Sequence, residues 1–236
     1  MNAALFDLGN TLLDYERSIP ARNRAERSAL RRLGIDITFN RFMFEKRKLL
    51  MTGYYTASDD PTRFWTDFIK PFGEKRSTKE INDLIEKSYS QWKSSFFRSW
   101  RLYPEVIPVL SRLKARGLKL GLVANVVAEA RSRFIDRYGL SKYLEAIVIS
   151  EEVGLSKPDP RIFRRALRML DARPTETIFI GDRLDTDIRP AKSLGMKTIR
   201  VLRGEYRYQQ PTSSAEKPDY IVRNLQRIFM LRPPLL

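Results

Sequence analysis

Two patterns of apolar and polar positions alternate along the chain. Short, largely apolar runs, each closed by polar residues, recur at 3–6, 118–123, 146–149 and 177–180, and a fifth follows at 197–202. Runs of this length bounded by turn residues read as buried strands. Between them the spacing turns helical. Val106, Val109, Leu110 and Leu113 form one stripe, ended by Gly117. Ile162, Phe163, Ala166, Leu167 and Leu170 form a second. Helices are also expected at 128–138, closed by Gly139, and at 187–194, stopped by Gly195. Residues 204–218 read as a polar loop, 219–230 as a short strand and a final helix, and Pro233-Pro234 as a loose tail. Strand and helix in alternation predict an α/β fold, a doubly wound (Rossmann-like) parallel sheet.

A different pattern fills 15–100. One charged helix is expected at 22–33, ending near Gly34, and a second at 38–51 with Gly53 past its end. Asp60-Pro61 supplies an N-cap and a proline at the first helical position for a third helix, 62–69. A fourth starts at Ser77 or Thr78, and Ile81, Leu84, Ile85, Ser88, Tyr89 and Trp92 mark its apolar face. The chain is thus expected to hold a small helical domain at 15–100, inserted into an α/β domain made of 1–14 and 101–236, with re-entry near Tyr103-Pro104. The aromatics Tyr54, Tyr55, Phe64, Trp65 and Phe68 are candidates for facing a cleft or for the core of the insert.

Composition narrows the chemistry. The 236 residues contain no cysteine and no histidine. Thiolate, Ser–His and Cys–His mechanisms are therefore excluded, and a zinc site of the usual kind has no ligands to use. Acid–base work falls to carboxylates, lysine or tyrosine. No apolar run approaches the roughly 20 residues that span a bilayer. No basic-then-apolar leader precedes the first strand, so a cytoplasmic location is expected, with no membrane partner. The net charge is +16, of which residues 15–100 carry +7. Charge spread in this way reads as a solvated face that steers anionic substrates, and nucleic acid is not an expected partner.

The polar ends of the strands are where chemistry gathers. The first run stops at Asp7, followed by Leu8-Gly9-Asn10-Thr11-Leu12. The second ends at Ala124-Asn125, the third at Ser150-Glu151-Glu152, and the fourth at Gly181-Asp182, with Asp187 beyond. Lys157 stands between the third and fourth in Ser156-Lys157-Pro158. Parallel strands bring their carboxyl ends to one edge, and ligands of open α/β sheets bind there. Carboxylates and one lysine at that edge suit a hard cation and an anion, and Mg²⁺ takes oxygen ligands that include substrate phosphate.

Carried on these four segments, the chain resembles the haloacid dehalogenase-like superfamily of aspartyl phosphatases over nearly its whole length. The resemblance implies that Asp7 attacks phosphorus to give a phosphoaspartyl intermediate. It implies that Lys157 holds the phosphoryl group, with Asn125 and the backbone at Ala124 beside it. Asp7, Asp182, Asp187 and the backbone carbonyl of Gly9 would serve Mg²⁺, and Asp185 would be a solvated or capping acid. The helical insert matches the family's C1-type cap, and the expected substrate is a small phosphorylated metabolite. Two positions depart from the family pattern. Gly9 stands where an acid/base Asp is usual, and Ala124 where a Ser or Thr hydroxyl meets the phosphate. Asp14 and Glu16, just past the first motif, are either substitute proton donors or acids of a hinge and a helix start. A catalytically degenerate member that binds a phosphorylated ligand or a protein is the alternative.

Overall fold

The computed structural model describes residues 1–51, 61–73 and 75–231, with the side chains of 50, 61 and 92–97 left aside. Gly53, Tyr54, Tyr55, Asp60, the side chain of Trp92 and Pro233-Pro234 lie outside the described residues. The chain divides into two compact units. One comprises Met1–Asp14, Arg101–Arg207 and Pro211–Leu236, and the other Tyr15–Trp100 with Tyr208–Gln210.

In chain order, β1 (Ala3–Phe6) is followed by four helices of the second unit: α1 (Ile19–Arg32), α2 (Phe39–Met51), α3 (Pro61–Ile69) and α4 (Thr78–Ser99). The first unit resumes with α5 (Val106–Ala115), β2 (Lys119–Ala124), β3 (Ala146–Ile149) and the short α6 (Ser150–Val153). Then come α7 (Pro160–Met169), β4 (Thr177–Gly181), α8 (Arg189–Ser193), β5 (Lys197–Val201) and β6 (Tyr220–Val222). The strands form one sheet in the order β3-β2-β1-β4-β5-β6, and every neighbouring pair is parallel. This is the doubly wound, Rossmann-like sheet the alternation predicts. Strands covered on both faces need continuous apolar runs, and every residue of β1 and β4 is buried. On one face of the sheet Ile162, Phe163, Ala166 and Leu167 of α7 pack with Leu5, Val123, Val148 and Phe179.

One predicted helix takes another form, and the 187–194 helix is present as α8 with a different turn leading into it. The 128–138 stretch is a π-helical turn at Arg131–Asp136, and the segment before α8 is a π-helical turn at Leu184–Ile188. Simple 3.6-residue periodicity does not signal the wider i→i+5 turn. The 204–218 loop contains two 3₁₀ turns, Glu205–Tyr208 and Ser214–Glu216. Among the described residues, no helix is long and apolar enough to cross a membrane.

The second unit has its own core. Phe64, Trp65 and Phe68, candidates for a cleft or a core, are core residues, packed with Ala29, Leu30, Phe42, Ile81 and Leu84. Ser77 caps α4 in a reciprocal capping box with Glu80, which satisfies two backbone donors at once. On α4 the expected face is narrower than predicted. Ile81, Leu84 and Ser88 are buried, whereas Tyr89 is 40% exposed. Lys46 is buried on α2, donating to Glu26 Oε2 at 2.7 Å and Asn23 Oδ1 at 3.1 Å. Burial, helped by the charge of Arg22, lowers its pKa to about 8 even with Glu26 as partner.

Candidate active site

β1 and β4 lie side by side in register, with Phe6 opposite Ile180, and the Asp7 amide continues the ladder to the Ile180 carbonyl at 2.9 Å. Asp7 and Asp182 each follow the last residue of their strand, so they leave the sheet at the same edge. This edge lies where connections depart to opposite sides of β1, the crevice in which doubly wound sheets bind ligands. The π-helical turn Leu184–Ile188 brings Asp187 back to the same point, where its Oδ2 accepts from the Arg183 amide at 3.1 Å. Gly181 makes that return possible. A Cβ on Gly181 would lie 2.4 Å from Asp187 Oδ2 and 2.7 Å from its Cγ.

Asp7, Asp182 and Asp187 are all buried, and each offers a carboxylate oxygen within 4.8 Å of the others. Lys157 reaches them from the loop between α6 and α7. Its Nζ donates to Asp7 Oδ1 and to Asp187 Oδ1, each at 2.6 Å, with 2% of the side chain exposed. Burial works to lower the Lys157 pKa, but the charges of Asp187 and Asp7 outweigh it and hold the pKa above its ordinary value. Burial pushes Asp187 up to about 6, against the pull of Lys157 and with the push of Asp7. Asp182 is driven well above the usual carboxylate range, by burial first and then by the charges of Asp7 and Asp187.

Asn125 meets Lys157 at the backbone. Its Oδ1 accepts from the Lys157 amide at 2.7 Å and its Nδ2 donates to the Lys157 carbonyl at 2.8 Å. The end of β2 is thereby tied to the lysine loop. Ala124 is the buried last residue of β2 and brings no hydroxyl. Gly9 brings no side chain, and its backbone bridges Leu13 in the turn after β1. Of the two roles expected for Asp185, solvated or capping acid, the first does not hold: it is largely buried and paired with Arg183 Nη2 at 2.6 Å. Asp14 donates its amide to the Arg101 carbonyl at 2.8 Å, where the first segment of the α/β unit ends. Glu16 opens the 3₁₀ turn Glu16–Ser18 of the helical unit.

Two neighbours of the site, and one buried ion pair of the same unit, carry no obvious sequence signal. Asn10 Nδ2 donates to Asp182 Oδ2 at 3.1 Å. Arg200, buried on β5, donates from Nε to the Asp182 carbonyl at 3.2 Å and from Nη2 to the Tyr206 carbonyl at 2.6 Å. Arg203 forms a buried ion pair with Glu105 and lies over the Tyr103 ring, 3.8 Å from its centroid. The Gly9-Asn10 pair signals only a turn, and a lone arginine in an apolar strand signals nothing about its partner.

Comparison with known proteins identifies the family. The family model for haloacid dehalogenase-like hydrolases matches residues 1–195. A glyceraldehyde 3-phosphate phosphatase of Methanopyrus kandleri is 30% identical over 220 residues, covering 93% of this chain and 92% of that one. A phosphoserine phosphatase of Thermus thermophilus is 37% identical over 166 residues, covering 68% and 65% of the two chains. Among solved structures, a predicted phosphoglycolate phosphatase from Haemophilus somnus superposes with a TM-score of 0.71 at 22% identity, over 98% of this chain and 97% of that one. With its sheet, its edge carboxylates and these relatives, the chain belongs to the haloacid dehalogenase-like hydrolase family and is an enzyme.

Proposed function

We propose that this enzyme is a Mg²⁺-dependent phosphatase of small phosphorylated metabolites, working through a phosphoaspartyl intermediate on Asp7. The observation that carries the reading is the single ammonium of Lys157 set between Asp7 and Asp187, with Asp182 beside them. Three buried carboxylates, when ionised against one contacting ammonium, carry excess negative charge, while burial first, and the charge of Asp7 behind it, raises the pKa of Asp182 and Asp187. A cluster of hard oxygen donors with that excess fits Mg²⁺. Asp7, Asp182, Asp187 and the Gly9 carbonyl would hold the ion, which when bound neutralises charge on the phosphoryl oxygens.

In this reading the Asp7 carboxylate attacks phosphorus, the bond to the ester oxygen breaks, and the alcohol leaves with a proton. Water then attacks the phosphoaspartyl phosphorus, releasing phosphate and restoring Asp7. Lys157 offsets charge on Asp7 and on the phosphoryl group throughout. Asn125 acts by fixing the Lys157 backbone with both atoms of its amide, leaving its second Nδ2 hydrogen for the phosphate, and Ala124 contributes backbone alone. With no side chain at Gly9, the proton for the leaving group comes from elsewhere. A positioned acid contributes about 10²–10⁴-fold, or roughly 3–5 kcal/mol of barrier, so turnover of poor leaving groups is slow. The named relatives act on glyceraldehyde 3-phosphate and phosphoserine, which makes three-carbon phosphate esters the first substrates to try. The 15–100 unit serves as the cap that selects among them.

The test is hydrolysis of an aryl phosphate and a phosphometabolite panel with and without Mg²⁺, beside Asp7→Asn. Turnover dependent on both Mg²⁺ and Asp7 is the expected result. Gly9 favours one other reading, a ligand-binding member without turnover. Activity no greater than that of Asp7→Asn on every substrate, with retained phosphometabolite binding, would select it.

A further inference from the structure

Asp182 is held differently from its two companions. Lys157 grips Asp7 and Asp187 and makes no hydrogen bond to Asp182. Among the described residues, the only side-chain donor to the Asp182 carboxylate is the Asn10 amide, at 3.1 Å. Asn10 is 6% exposed and sits at φ +53°, a left-handed conformation that asparagine tolerates better than most residues. Its own amide donates to the Leu13 carbonyl at 2.7 Å, which fixes the backbone.

Behind Asn10 stands Gly204, on the loop after β5. A Cβ there would fall 2.4 Å from Asn10 Nδ2, 2.5 Å from Cγ and 2.8 Å from Oδ1. The glycine backbone is thus packed closely against the Asn10 amide, leaving no room for a side chain at position 204. The loop is anchored in turn by Arg200, which binds both the Tyr206 carbonyl and the Asp182 carbonyl. Asp182 is therefore clamped at its carboxylate by Asn10 and at its backbone by Arg200.

We propose that Asn10, backed by Gly204, is a positioning residue that orients the Asp182 carboxylate toward the cation. The inference rests on the Mg²⁺ reading above and adds a role for a residue that acts through the Asp182 carboxylate. Outer partners that orient metal-binding carboxylates typically contribute about 10–100-fold in metal affinity.

The experiment measures Mg²⁺ binding to the full chain by calorimetry, without substrate, for the wild type, Asn10→Gly, Gly204→Ala, the double variant and Asp182→Asn. Asn10→Gly keeps a residue suited to positive φ, so it removes the amide without straining the backbone. Its Mg²⁺ dissociation constant is expected to rise about 10–100-fold, and the Mg²⁺ concentration for half-maximal turnover by a similar factor. Gly204→Ala is expected to weaken Mg²⁺ through displacement of Asn10. In the double variant the clashing amide is gone, so the affinity should match that of Asn10→Gly alone and not fall further. A purely structural role would lower thermal stability and leave Mg²⁺ affinity unchanged in all three of these variants. Wild-type Mg²⁺ affinity in Asn10→Gly, with binding lost in Asp182→Asn, overturns the positioning role and leaves the metal site standing. Absence of Mg²⁺ binding in the wild type overturns both.

Discussion

Gly181→Ala probes the construction of the site with a single methyl group. The new Cβ would lie 2.4 Å from Asp187 Oδ2, 2.7 Å from Cγ and 2.8 Å from Cβ, where about 3.4 Å is the start of ordinary contact. One partner must therefore move by about 1 Å. Asp187 has little freedom to do so: it is fully buried, held by Lys157 Nζ at 2.6 Å and by the Arg183 amide at 3.1 Å. Gly181 is itself in the ladder, paired with Arg200 of β5. Overpacking of this kind costs about 1–3 kcal/mol, which at this chain length corresponds to roughly 2–12 °C in Tm. A catalytic group displaced by about 1 Å loses on the order of 10²-fold in turnover.

The assay pairs thermal unfolding with Mg²⁺-dependent hydrolysis, and Gly117→Ala serves as control. Gly117 sits at φ +80° with nothing near its missing Cβ, in the turn between α5 and β2. Alanine there costs about 1–2 kcal/mol of backbone strain and should leave turnover unchanged. Gly181→Ala with wild-type turnover and Mg²⁺ affinity would refute the reading that Asp187 is held against β4 for catalysis.

Other perturbations test charge and burial. The Asp187 pKa is raised to about 6 from 3.8, so between those values the folded protein binds a proton that the unfolded chain lacks. Stability without metal should then fall as pH rises from about 4 to 6, and the difference from Asp187→Asn in urea titrations isolates this contribution. Mg²⁺ stabilisation should grow over the same window, seen as a larger Tm shift at pH 7 than at pH 4.5. Lys46 has the opposite sign. Its folded pKa of about 8 lies below 10.5, so the unfolded chain binds more protons above pH 8 and stability rises toward pH 10.5. That rise amounts to at most about 3 kcal/mol and should vanish in Lys46→Met, as urea titrations across the range will read. Glu105→Ala strands the buried Arg203 guanidinium and should cost about 3–5 kcal/mol of stability, whereas Arg31→Ala, on an exposed ion pair, should change denaturant midpoints little.

Sequence alone determined what depends on neighbours along the chain. Four-residue apolar runs such as 3–6 and 146–149 have one way to bury both faces, so they become strands of a covered parallel sheet. The acids after 3–6 and 177–180 follow to its edge. Composition excluded histidine and thiol chemistry outright. What tertiary structure decided is which side chains meet. Residues 150 apart in sequence, Asp7 and Lys157, share a hydrogen bond only because β1 sits between β2 and β4. The same holds for Asn10 with Asp182, for Asn125 with the Lys157 backbone, and for Arg203 with Glu105. The two π-helical turns and the exposed Tyr89 also escaped local periodicity, because packing sets them. Spacing records whether a residue is buried or exposed. A hydrogen bond also needs direction and a partner, and these exist only once the strands have taken their order.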